Sequence, residues 1–137
     1  IDAINELSYV SFGNSDNSKI GESIIAIGNA YGLGNTVTMG IISAKDRYID
    51  SDCGEAFIQT DASINKGNSG GPMFNTDGEV IIDINSVIMS PNGGNIGIAF
   101  ALPSNFVKSI ILKLLIDGII THPSLGIKYN YITEKTG

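Results

Sequence analysis

Apolar residues gather in short β-prone runs along most of this chain, and glycine, asparagine, aspartate and serine gather between the runs. Short β-prone runs bounded by turn formers read as strands. Ser23-Ile24-Ile25-Ala26-Ile27-Gly28 is of this kind, and comparable runs cover residues 9–12, 36–44, 56–60, 72–75, 79–88 and 97–101. Turn clusters separate them at residues 13–16, 32–35, 76–78 and 90–94. One segment breaks this pattern. Val107, Ile110, Ile111, Leu114 and Leu115 recur at helical spacing, with Ser104 placed as N-cap and Gly118 as stop. The spacing predicts a helix over 104–117 whose apolar stripe is buried by packing. Beyond it, residues 121–124 read as a connector and 125–131 as the start of another strand. Short strands punctuated by turns, with no repeat at solenoid periods, predict an all-β sandwich or barrel carrying one helix.

Composition narrows the classes of partner. The chain has 137 residues, room for one domain with a core able to fold alone. Its 8 Lys and Arg against 14 Asp and Glu leave a net charge of −6 with no basic run, so neither nucleic acid nor an anionic membrane surface is expected to bind. An apolar share of 42% against 16% charged is that of a globular chain, not a disordered one. The single cysteine, Cys53, excludes an internal disulfide framework; the single histidine, His122, excludes most His-based metal sites. No metal and no cofactor is expected. The longest apolar candidate, residues 110–120, is interrupted by Lys113, Asp117 and Gly118, so no membrane span is expected. The chain opens Ile1-Asp2-Ala3 without an initiator methionine or a signal segment, and reads as a piece of something longer.

The stretch richest in chemistry is Thr60-Asp61-Ala62-Ser63-Ile64-Asn65-Lys66-Gly67-Asn68-Ser69-Gly70-Gly71-Pro72. A serine among glycines can sit on a tight turn with its hydroxyl exposed, while neighbouring N–H groups point into one concavity. An acyl-transfer oxyanion needs such a concavity. The same letters also suit a plain glycine-rich connection between two strands. Gly67-x-Ser69-x-Gly71 further matches the nucleophile elbow of α/β-hydrolases, with Asp83 and His122 following in the order of that fold. An elbow requires a helix after the serine, whereas Pro72-Met73-Phe74-Asn75 leads into a Thr76-Asp77-Gly78 turn and another strand, which rejects it.

A second geometry is carried by five stretches in order. Ala26-Ile27-Gly28-Asn29-Ala30-Tyr31-Gly32-Leu33-Gly34, Thr36-Val37-Thr38-Met39-Gly40-Ile41-Ile42-Ser43-Ala44, Phe57-Ile58-Gln59-Thr60-Asp61-Ala62, the residues 67–72, and Gly97-Ile98-Ala99-Phe100-Ala101-Leu102-Pro103-Ser104 together resemble the HtrA/DegP family of trypsin-fold serine proteases. The resemblance implies an all-β fold, the six-stranded antiparallel barrel that forms the second half of the trypsin-like double barrel, with a C-terminal helix. Residues 1–118 would form this barrel and helix. Residues 119–137 would be a linker and the beginning of a PDZ-like domain, since Leu125-Gly126-Ile127 resembles its opening.

By the same resemblance Ser69 is the nucleophile, and Gly67, Asn68 and Ser69 form the oxyanion loop, with the N–H groups of Gly67 and Ser69 as donors. The trypsin-fold triad runs His, Asp, Ser along the chain, which puts the first two on an N-terminal barrel missing here. His122 follows Ser69 and reads as a solvated turn residue, so this polypeptide alone is expected to be inert. The family implies cleavage of misfolded or unfolded polypeptides, a periplasmic or otherwise extracytoplasmic location, and a homo-oligomer built on trimers. The rival expectation is a non-catalytic, chaperone-like module that holds polypeptides by β-addition.

Specificity and control are read from positions. The residue six before the nucleophile lies at the base of the primary pocket in trypsin-like enzymes, and here it is Ser63, followed by Ile64. A pocket without a buried charge cannot offset desolvation of a cationic side chain, so Val, Ile, Leu or Ala is expected at the cleavage site. Ser86, Val87, Ile88 and Met89 resemble the strand edge that pairs with substrate backbone. Asn68 replaces the aspartate that pairs with a freed N-terminus in zymogens, so control is expected from loop movement at 31–36, 46–55, 65–68 and 89–95. Asp61 is expected to hold its loop by hydrogen bonds. Cys53 lies in the 46–55 loop with no partner for a thiol role. Two departures stand out: Gly78-Glu79-Val80-Ile81-Ile82-Asp83-Ile84-Asn85 carries one residue more than the family strand, which implies a bulge or register change, and Ala99 stands where glycine is common.

Overall fold

The computed structural model describes residues 8–49, 55–88 and 94–121, with backbone alone for 82–88. Six strands, β1 (Ser23–Gly28), β2 (Thr36–Arg47), β3 (Phe57–Thr60), β4 (Met73–Phe74), β5 (Val80–Ile88) and β6 (Ala99–Pro103), precede the helix α1 (Ser104–Asp117). They close into a barrel in the order β1-β2-β3-β6-β5-β4, every neighbouring pair antiparallel. The expected six-stranded barrel with a C-terminal helix is thus the observed one. Alternation decides which face turns inward: Ile24 and Ala26 on β1 are buried while Ser23, Ile25 and Ile27 turn outward. Ile42, Ile58, Ala62, Ile64, Met73, Ile81, Ala99 and Ala101 complete the interior. Each fully buried Ile or Met there contributes about 1.5–3 kcal/mol of transfer free energy.

Residues 9–12 do not form a strand. Phe12 makes one isolated parallel bridge to Val80, and Tyr9 and Val10 are exposed. The barrel closes through β4 on β1, and among the described residues this run keeps the bond of Val80 N–H to Ser11 O, followed by Gly13 N–H to Val80 O. Along β5 the register against β6 shifts twice, between Asp83 and Asn85 and between Asn85 and Val87. The strand expected to carry a bulge or register change is thus irregular in its pairing with β6.

The helix has the expected length but not the expected burial. Val107 is buried, Ile110 is half-buried, and Ile111, Leu114 and Leu115 are exposed. Its barrel contacts run to β5, β6 and the short turn Ser15–Asn17, and residues 111–119 stay exposed. Ser104 is the first helical residue and Pro103 occupies the cap. Ser104 Oγ instead donates to Gly13 O at 3.1 Å, and the buried Ser15 Oγ accepts the Asn105 N–H at 3.2 Å, a cap supplied from far along the chain. Gly118 ends the helix in the left-handed conformation, φ 71°, with its N–H on Leu114 O.

Candidate active site

The connection from β3 to β4 carries the serine, and it is fixed from the barrel outward. Thr60 Oγ1, fully buried, accepts the Ala62 N–H at 3.0 Å. Asp61 Oδ1 accepts the Ile41 N–H at 2.7 Å, which ties the loop to β2 in the way expected of a loop-holding residue. Ala62 and Ile64 bury their side chains in the core, so Ser63 between them faces solvent. Ile64 can therefore meet a ligand only through its backbone.

Asn68 is 2% exposed and is the inward anchor of the next turn. Its N–H donates to Asn65 O, its carbonyl accepts the Gly71 N–H at 2.9 Å, and its Nδ2 donates to Ser63 O at 3.5 Å. The side chain lies against Gly28, where a Cβ would stand 2.6 Å from Asn68 Oδ1. With its neighbour anchored inward, Ser69 is held outward and exposed on a turn flanked by Gly67 (φ 103°) and Gly70 (φ 81°). Neither the Gly67 nor the Ser69 N–H donates to a backbone carbonyl among the described residues. Both donors and the hydroxyl thus belong to the same short exposed turn.

A second turn clamps this one. Asn29 N–H donates to Gly67 O at 3.3 Å and Tyr31 N–H to Lys66 O at 2.7 Å. Tyr31 reaches that position in the left-handed region, φ 55° and ψ 16°, and its hydroxyl donates to Asn65 Oδ1 at 3.4 Å. Asn95 N–H donates to the same Asn65 oxygen at 3.2 Å. Segments 29–32, 62–69 and 94–97 therefore form one hydrogen-bonded cluster. The sequence places the nucleophile, the oxyanion loop and the pocket in 63–69 and expects movement at 31–36, 65–68 and 89–95, but it does not point to Asn29, Asn65 and Asn95 as the ties between these segments. The one readable signal was Asn95 two residues before Gly97, an Asx-turn spacing that is realised as Gly97 N–H to Asn95 Oδ1 at 2.8 Å.

Ser86, Val87 and Ile88 lie on the part of β5 that pairs with β6, Val87 opposite Phe100 and Ile88 opposite Ala99. Pairing of β5 with β4 stops at Ile82, so among the described residues no strand covers the other edge from Asp83 to Ile88. Met89, Cys53, His122 and residues 125–127 lie outside the described residues. Among those described, no group of three or more His, Cys, Asp or Glu could hold a metal ion, and no helix is long and apolar enough to cross a membrane.

A closed six-stranded antiparallel barrel with a terminal helix and an outward serine on a glycine-rich turn defines a trypsin-like peptidase barrel. Residues 1–81 match the trypsin-like peptidase domain model. The chain is 52% identical over 98% of its length to a "Probable periplasmic serine endoprotease DegP-like" of Rickettsia prowazekii, and 44% identical over 98% to one of Rhizobium meliloti. Among solved structures it is similar to the HtrA-type protease AlgW with decapeptide, at TM-score 0.88 and 39% identity over 97% of this chain and 41% of that one. With tripeptide, AlgW gives TM-score 0.81 and 42% identity over 85% and 38%. The chain belongs to the trypsin-like peptidase family, within its HtrA/DegP group. It spans about a quarter of the length of the curated relatives it matches, 27% and 26% for the two named. Their names support the expected periplasmic location.

Proposed function

We propose that this chain is the nucleophile-bearing barrel of an HtrA/DegP-type serine endopeptidase. Residues 1–118 are read as the barrel and its closing helix, and 119–137 as a linker and the beginning of a PDZ-like domain. Ser69 Oγ attacks the scissile carbonyl of an unfolded polypeptide, and an acyl-enzyme forms as the amine leaves. The Gly67 and Ser69 N–H groups hold the oxyanion, with Asn68 fixing the turn between them. The base that takes the serine proton and the acid that orients it come from a preceding barrel, so the isolated segment is inert. Substrate backbone adds to the β5 edge at Ser86, Val87, Ile88 and Met89, and a small apolar side chain enters the pocket floored by Ser63 and the Ile64 backbone.

The observation that carries this reading is the outward Ser69 on a turn whose two N–H groups have no backbone acceptor among the described residues. The open β5 edge also suits a second, non-catalytic reading, a chaperone-like holder of polypeptides. In keeping with the group, the full-length protein is read as a trimer-based homo-oligomer in the periplasm, acting without cofactor. Digestion of an unfolded protein by the full-length chain separates the two readings. Hydrolysis that Ser69→Ala abolishes supports the peptidase; binding of the unfolded protein without hydrolysis by either form supports the holder.

A further inference from the structure

We infer that Asn95 is a positioning residue for the primary specificity pocket, an inference that rests on the peptidase reading. Its side-chain amide bridges two carbonyls of the serine loop, Nδ2 donating to Ala62 O at 3.3 Å and to Ile64 O at 3.2 Å. Those carbonyls flank Ser63, the residue read as the pocket floor. Asn95 Oδ1 is engaged in turn by the Gly97 N–H at 2.8 Å, and the Asn95 N–H donates to Asn65 Oδ1 at 3.2 Å. Its N–H and side-chain amide nitrogen thus join the 94–97 turn to the 62–65 segment, while its Oδ1 closes the turn itself.

The geometry of that join fixes Ser63 from two sides. Ala62 and Ile64 are pinned on the inner side by core side chains, 0% and 2% exposed, and on the outer side by the Asn95 amide. The Ser63 carbonyl also receives Asn68 Nδ2, so the position of the floor is shared with the residue preceding Ser69. Only a side chain with two donors on one nitrogen and an acceptor beside it fits all three partners. A carboxylate of the same volume would keep the Gly97 bond with one oxygen and set the other against two carbonyl oxygens. Displacing this floor changes the fit of a bulky side chain at the cleavage site more than that of a methyl group, because one methylene in such a pocket is worth about 10–200-fold in kcat/KM.

The test uses the full-length protein and two peptide anilides that differ only in Val or Ala at the cleavage site. Asn95→Asp is expected to lower the Val/Ala ratio of kcat/KM by about tenfold. Hydrolysis of the Ala substrate and labelling of Ser69 by a fluorophosphonate are expected to stay within about threefold of the unchanged protein, because the oxyanion donors are not on the Asn95 bonds. Equal losses on both substrates, or an unchanged ratio, would overturn the proposal. If Asn95→Asp fails to fold by its melting transition, Asn95→Ala, which drops both amide donors without adding charge, is read by the same criteria. Retained hydrolysis of both substrates in Ser69→Ala is a different result: it overturns the peptidase reading, and the role of Asn95 with it.

Discussion

Replacing Gly67 by alanine should disable the serine turn while leaving the barrel standing. A Cβ at this position would collide with the carbonyl oxygen of Asn29 and stand 2.9 Å from the Tyr31 nitrogen. Both are backbone atoms, so no flexible side chain can give way. The residue also sits at φ 103°, where an L side chain costs about 1–3 kcal/mol. Holding the native turn would further strain the bonds of Asn29 N–H to Gly67 O and Tyr31 N–H to Lys66 O, each worth about 0.5–1.5 kcal/mol. Separating the two turns forfeits no more than these two bonds, whereas holding them keeps the backbone collision and the strain as well, so the turn moves and carries the Gly67 N–H away from the oxyanion position. Loss of one such donor lowers acylation about 100–1,000-fold. In the full-length protein, fluorophosphonate labelling of Ser69 should slow by that factor, while the melting temperature falls by no more than about 8 °C. Labelling at the unchanged rate would refute the assignment of Gly67 to the oxyanion loop; loss of the melting transition would refute the separation of turn from barrel.

Two further substitutions probe the fold. Met73→Ala, at a side chain with no exposure in the centre of the barrel, should cost about 2–5 kcal/mol in urea denaturation, and a loss below about 1 kcal/mol would mean that the cavity collapses freely. Ser15→Ala removes the hydroxyl that accepts the Asn105 N–H, and should cost about 0.5–2 kcal/mol and speed hydrogen exchange in the first turn of α1; unchanged exchange there would show that another group caps the helix.

Much of the barrel was legible because short β-prone runs bounded by turn residues mark its strands. β1 matched its predicted bounds, and the helix ended where Gly118 supplied a left-handed cap. What failed depended on neighbours that a local pattern does not contain. Residues 9–12 have strand-like letters but, among the described residues, no strand to pair with beyond one bridge to Val80, and the stripe of Ile111, Leu114 and Leu115 has helical spacing without a surface to cover it among the described residues. Ser104 was read as a cap from its letter, while the real cap, Ser15, lies at the far end of the chain's path around the barrel. At the site, glycine and serine letters pointed to the turn. The ties among Asn29, Tyr31, Asn65 and Asn95 join residues 30 or more positions apart in two of their bonds, beyond any spacing rule.

The claim that Ser69 is the nucleophile is tested most directly by mapping a fluorophosphonate adduct on the full-length protein by tandem mass spectrometry. A single adduct on Ser69, absent from Ser69→Ala and blocked by prior incubation with unfolded polypeptide, is the predicted result. An adduct on another residue, or an intact and folded full-length protein that takes up no probe, would contradict it.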